Sequence, residues 1–88
     1  MLWVAVLNVS VRTAQKLSSK HGLSEAEVRM AIVGVKGLRY VWDDSPDGRG
    51  LRAIVETNIN GRRVLVVLYP CGDPFGDTWN LGSAYVVT

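Results

Sequence analysis

The spacing of apolar residues changes its period along this chain, and each change marks an element. Leu2-Trp3-Val4-Ala5-Val6-Leu7 is almost wholly apolar and rich in β-formers. That is the pattern of a strand covered on much of both faces. From residue 13 to 21 the chain is helix-compatible, with Ala14, Leu17 and His21 at i, i+3 and i+7 and Gly22 placed to end the helix in a left-handed turn. Ser24-Glu25-Ala26-Glu27 then forms a capping box, with Leu23 and Val28 as its hydrophobic staple. Val28, Ala31, Ile32 and Val35 continue as one helical stripe until Gly34 and Gly37 close it. The short connection predicts a tight helical pair.

Beyond Gly37 the period becomes two. Leu38, Tyr40 and Trp42 alternate with Arg39, Val41 and Asp43, which predicts a strand. Residues 44 to 50 carry turn residues throughout. Two further strands, 51 to 59 and 62 to 69, are separated only by Asn60-Gly61, the pair that suits a type I′ hairpin. After a Pro- and Gly-rich loop, Trp79 to Val87 predicts a last strand with Gly82 as a bulge. The expected architecture is a single α+β domain over residues 1 to 88, with the helical pair packed on a four- to five-stranded antiparallel sheet in the order βααββββ.

A two-residue turn fixes the hairpin register. Ile59 then faces Arg62, Thr57 faces Val64, Val55 faces Val66 and Ala53 faces Leu68. This side is apolar away from the turn and is expected to meet the helices. The other side pairs Asn58 with Arg63, Glu56 with Leu65, Ile54 with Val67 and Arg52 with Tyr69. Arg52, Glu56, Arg63 and Tyr69 thus share one face, and the spacing allows an ion pair along the strand between Arg52 and Glu56. Such a face is first that of an ordinary solvated sheet, where mixed charges are commonplace; it also suits a surface for RNA, where arginine holds phosphate, tyrosine stacks a base and glutamate moves a proton.

Composition narrows the class without choosing the function. The chain is 48% hydrophobic and 20% charged, as a packed globule is. Its net charge of +2 is only mildly basic, but six of the ten basic residues fall between 36 and 63. One cysteine, Cys71, excludes an internal disulfide, and no apolar run is long enough for a membrane helix. The Leu2 to Leu7 run has no basic residue ahead of it, which argues for a strand of a cytoplasmic protein rather than a signal peptide. His21, the sole histidine, first suits a helix C-terminus, where its position satisfies the dipole without help, and also suits general acid–base work near neutrality. Cys71, Asp73 and Asp77 lack metal-site spacing, Asp43, Asp44 and Asp47 lack that of a calcium loop, and no Walker A or dinucleotide signature is present, so neither a metal nor another cofactor is expected. Trp3, Trp42 and Trp79 are chiefly core mass, with Trp42 and Trp79 also suited to anchoring a partner at a sheet edge.

The order of motifs also resembles a family. Lys20-His21-Gly22-Leu23-Ser24 running into Glu27-Val28, the strand Gly61-Arg62-Arg63-Val64-Leu65-Val66-Val67-Leu68-Tyr69 and the terminal Ser83-Ala84 together resemble BrnT-type toxins, over about residues 16 to 85. These belong with the RelE-like ribonuclease toxins of type II toxin–antitoxin systems. The resemblance implies a RelE-like fold and metal-independent RNA cleavage, in which the 2′-OH attacks the adjacent phosphate and the protein supplies a base, an acid and cations. Carried over by position, it implies roles for Lys20, His21, Arg52, Arg63 and Tyr69; taken with the hairpin face, the expected catalytic residues are His21, Arg52, Glu56, Arg63 and Tyr69, and the expected RNA-binding residues Lys20, Arg39 and Arg62. It also implies RNA and a small cognate antitoxin as partners. Tyr85 and Asn80 stand where the family commonly has arginine. That departure motivates the alternative of a non-catalytic RelE-like interaction module, such as a phage or accessory protein.

Overall fold

A computed structural model of the chain describes residues 1–87. Its elements are β1 (Val6–Asn8), α1 (Val11–His21), α2 (Glu25–Ile32), β2 (Arg39–Asp44), β3 (Leu51–Ile59), β4 (Arg62–Pro70) and β5 (Thr78–Val87). All five strands form one sheet in the order β1-β5-β4-β3-β2. The expected α+β class and βααββββ order hold, but the sheet is mixed rather than antiparallel, because β1 runs parallel to β5. Three antiparallel steps, β2 to β3 to β4 to β5, leave β5 opposed to β2. The helices deliver the chain into β2 opposed to β1, so the two strands that meet at the far side point the same way.

The first strand is also shorter than the apolar run suggests. Only Val6–Asn8 joins the ladder, yet Leu2, Val4 and Leu7 are all buried. Residues before β1 enter the core as an extended segment, and the Val4 carbonyl accepts the Gly34 N–H at 2.9 Å. Helix α1 starts two residues earlier than expected, because the Ser10 hydroxyl accepts the Thr13 N–H at 3.1 Å and caps it. The α2 capping box forms as expected, with Glu27 N–H donating to Ser24 Oγ at 3.1 Å and Ser24 N–H to Glu27 Oε1 at 2.9 Å. The box satisfies two backbone donors that the start of a helix otherwise leaves without partners. Helix α2 stops at Ile32, so Val35 lies beyond it and is only half-buried.

Leu17, Leu23, Val28 and Ile32 bring the helical side of the core onto Val55, Val64, Val66, Leu68 and Ala84 of the sheet. Each such buried leucine, valine or isoleucine side chain contributes about 1.5–3 kcal/mol relative to exposure. Of the three tryptophans, Trp79 alone is buried in that core, while Trp42 stays half in solvent at the β2 edge. The hairpin turns at Asn60 (φ 53°) and Gly61 (φ 77°), the double positive φ of a type I′ turn. The Asn60 side-chain amide donates to Glu27 and ties this turn to the start of α2. Gly82 is the extra residue between Val67↔Ser83 and Leu68↔Leu81, so the expected bulge is present. Among the described residues, no helix is long and apolar enough to cross a membrane.

Candidate nucleic-acid interface

The hairpin register is the expected one from Ile59↔Arg62 to Ala53↔Leu68. Combined with the β2 and β5 registers, it arranges the face turned away from the core in rows across the sheet. One row runs Asp43, Arg52, Tyr69, Asn80 and Asn8, one residue from each strand. The next runs Val41, Ile54, Val67 and Ser83, and the third Arg39, Glu56, Leu65 and Tyr85. The sheet therefore presents a polar row, an aliphatic row and a mixed row side by side.

Tyr69 is the centre of the polar row and is buried. Its hydroxyl lies 3.2 Å from Ser45 Oγ and accepts from Arg52 Nη1 at 3.4 Å. Arg52 Nε donates to Asp43 Oδ2 at 2.7 Å, directly across the β2–β3 ladder. The Arg49 guanidinium lies over the Tyr69 ring, 3.9 Å from its centroid, a cation–π contact. The ring edge rests against the backbone of Gly82, where a Cβ would come within 2.4 Å of it. The bulge glycine is thus also the space that Tyr69 occupies.

These neighbours shift the acidity of the site. The Tyr69 hydroxyl is held below the ordinary tyrosine value, first by its hydrogen bond with Ser45, then by that with Arg52 and the positive charges of Arg49 and Arg52, while burial opposes them. Hydrogen bonds to Tyr69 and then to Asp43 hold Arg52 more firmly protonated. Ser45 Oγ also hydrogen-bonds Asp47, whose carboxyl is lowered by that contact above all others. Ser45 has one hydroxyl proton and two oxygen partners, so it links the phenol of Tyr69 to the carboxylate of Asp47.

The remaining expected residues fall into separate groups. Glu56 pairs with Arg63 at 2.9 Å, and not with Arg52 along the strand. The reason is geometric: Asp43 stands directly opposite Arg52, and Arg63 is a diagonal neighbour of Glu56 across the β3–β4 ladder. His21 ends α1 with its ring 6.3 Å from that of Tyr85, and with Lys16, Lys20 and Ser83 it borders a pocket of about 290 Å³. Gly82 borders that pocket too, but no hydrogen bond or ion pair joins His21 to Arg52 or Tyr69 among the described residues. Arg39 is exposed at the free edge of β2. Arg62 lies opposite Ile59, on the opposite side of the sheet from Arg63, and its charge acts on Glu27.

Arg49, Ser45, Asp43 and Asp47 join the cluster although the hairpin register does not point to them. They belong to β2 and the turn after it, which folds back over the outer face; no local signal in the turn reveals this. Arg49 also borders a cleft of about 620 Å³ with Asn8, Ser10, Thr13, Arg29 and Asn80, and no acidic residue lines it. Arg29 is occupied there, donating to Glu25 at 2.9 Å and to the Leu7 carbonyl at 2.6 Å. Arg49 makes no ion pair among the described residues. No three His, Cys, Asp or Glu side chains among the described residues are grouped to hold a metal. In comparisons with family models, curated proteins and solved structures, nothing matches this chain.

Proposed function

We propose that the outer face of the sheet binds single-stranded RNA and cleaves it without a metal, and that the protein is a type II toxin restrained by a small cognate antitoxin. The observation that carries this reading is the Tyr69 cluster, with two arginines and a hydroxyl on one phenol of lowered pKa beside a polar cleft free of acids. The resemblance to RelE-like toxins supplies the reaction class. Arg49 and Arg52 would hold the scissile phosphate and its developing charge. Tyr69 would exchange the proton of the 2′-OH or of the leaving oxygen, with Ser45 and Asp47 behind it. The Glu56–Arg63 pair, beyond the aliphatic row, and the Lys16, Lys20 and His21 group would give the RNA further charged contacts.

Purified protein incubated with a labelled RNA oligonucleotide in excess chelator should yield fragments ending in a 2′,3′-cyclic phosphate. Arg52→Ala and Tyr69→Phe should each slow cleavage about 100-fold. Induced expression in a bacterial host should arrest growth, and the same substitutions should relieve it. Intact RNA together with normal growth at high expression would sink the proposal.

One observation favours a second reading. Arg52 and Arg63 are both neutralised by carboxylates, Asp43 and Glu56. A non-catalytic interaction module needs no more than that. Failure to cut RNA, combined with a protein partner bound at the same face, would select it.

A further inference from the structure

The sheet has a free edge at β2, and this strand carries its charges, Arg39, Asp43 and Asp44, only at its two ends, with Tyr40, Val41 and Trp42 between them. It has no Pro and no Lys, and its six residues pair with β3 without a register break. Val41 is 63% exposed and Trp42 52%, among the larger apolar exposures in the chain. An unpaired ladder with exposed apolar side chains is a template for another strand.

The order of residues in β2 says which strand fits. Arg39, Val41 and Asp43 lie on the outer face, and Tyr40 and Trp42 on the helix side. In an antiparallel pair, directly opposed residues share a face. Two copies of β2 related by a twofold axis through Val41 therefore match Val41 with Val41, Tyr40 with Trp42 and Arg39 with Asp43. Each match is favourable: aliphatic on aliphatic, aromatic on aromatic, cation on anion. Sliding by one pleat in either direction sets Val41 against Asp43, or Arg39 against Val41, and loses the charge pairs.

Two details of the single chain leave these partners available. Arg39 makes no ion pair among the described residues, because Glu56 opposite it is taken by Arg63. Asp43 gives Oδ2 to Arg52 and has no hydrogen bond at Oδ1 among the described residues. We infer that β2 is a homodimer interface, in which two copies join edge to edge into one continuous sheet around Val41. The aliphatic row then continues as Val67, Ile54 and Val41 into the same residues of the second copy. The charged row alternates as Arg52, Asp43, the second copy's Arg39 and its Glu56. This interface is independent of RNA cleavage, since no part of the Tyr69 cluster is needed except Asp43.

Sedimentation velocity across a wide concentration range tests it. The wild-type mass should rise with concentration toward twice the 9.6 kDa of one chain. Val41→Lys should hold the protein at a single-chain mass with an unchanged circular dichroism spectrum, because the side chain is exposed and like charges would meet at the axis. Arg39→Asp should weaken association about 10-fold. In a Cys71→Ser background, Val41→Cys should give a disulfide-linked dimer under mild oxidation far faster than Phe75→Cys, an exposed control on a loop. A single-chain mass at every concentration overturns the inference, including the case where β2 pairs only with a different protein. So does a dimer that survives Val41→Lys, or one in which Val41→Cys links no faster than Phe75→Cys.

Discussion

On the helix side of the β3–β4 hairpin, Val55, Val64, Val66 and Leu68 have no exposed surface. One residue along, on the outer side, Arg52, Ile54, Glu56 and Leu65 are half-buried. The same two strands thus carry a dry aliphatic face and a directional one that is half in solvent, with only Val67 and Tyr69 buried in it. The first is held by volume and by removal from water, which have no preferred direction. The second is held by named partners, Asp43 for Arg52 and Arg63 for Glu56, each chosen by register. Loss of volume should therefore cost stability, whereas loss of a partner should chiefly cost the arrangement of the face.

The largest effect is expected from Leu68→Ala. It should destabilise the domain by about 2–5 kcal/mol, read from urea unfolding. Arg52→Ala, on the other face, should lower the melting temperature little while strongly slowing the RNA cleavage proposed above. Equal losses of stability from the two would show that the outer face is structural.

Gly82→Ala comes next. Its Cβ would meet the Tyr69 ring at 2.4 Å, so the ring must move away from Ser45 and Arg52. A cost of about 1–3 kcal/mol in denaturant unfolding is expected, together with loss of the low-pKa phenol. Ser45→Ala isolates that second effect. It removes the largest cause of the Tyr69 shift, so the phenol should titrate closer to the ordinary value of about 10, seen in ultraviolet phenolate absorbance against a Tyr69→Phe blank. An unmoved titration would assign the shift to the arginines instead.

The smallest effect is expected at the hairpin turn. The Glu27 carboxyl is held below the ordinary glutamate range, first by the Ser24 backbone N–H, then by the Ser24 hydroxyl and the Asn60 amide. A carboxyl with a depressed folded pKa binds more protons when unfolded, so its contribution is complete above the unfolded value and fades as pH falls through the folded one. Stability should decline in that acidic window, and Glu27→Gln should flatten the decline measured by thermal melts.

Features that depend on near neighbours in the chain are legible in the residues alone. Asn60-Gly61 can hardly turn otherwise, because both centres need positive φ, and that turn alone sets the pairing from Ile59↔Arg62 to Ala53↔Leu68. The Ser24–Glu27 box and the Gly82 bulge are readable for the same reason. The start of α1 is not, because Ser10 follows a β-forming run closely enough to pass for its end, although it is the helix cap.

Which residues share a face thus follows from the order of amino acids, since the pleat has a period of two and a tight turn permits one register. Which charges meet follows from how the strands assemble. Asp43 reaches Arg52 because β2 lies beside β3, and Arg49 covers Tyr69 because the intervening turn folds back over the sheet. Assembly also joins β1 to β5 in parallel and leaves β2 as the open edge. The place of β1 goes with the burial of Leu2, Val4 and Leu7 in the shared core, and burial has no local signature that would reveal its partners.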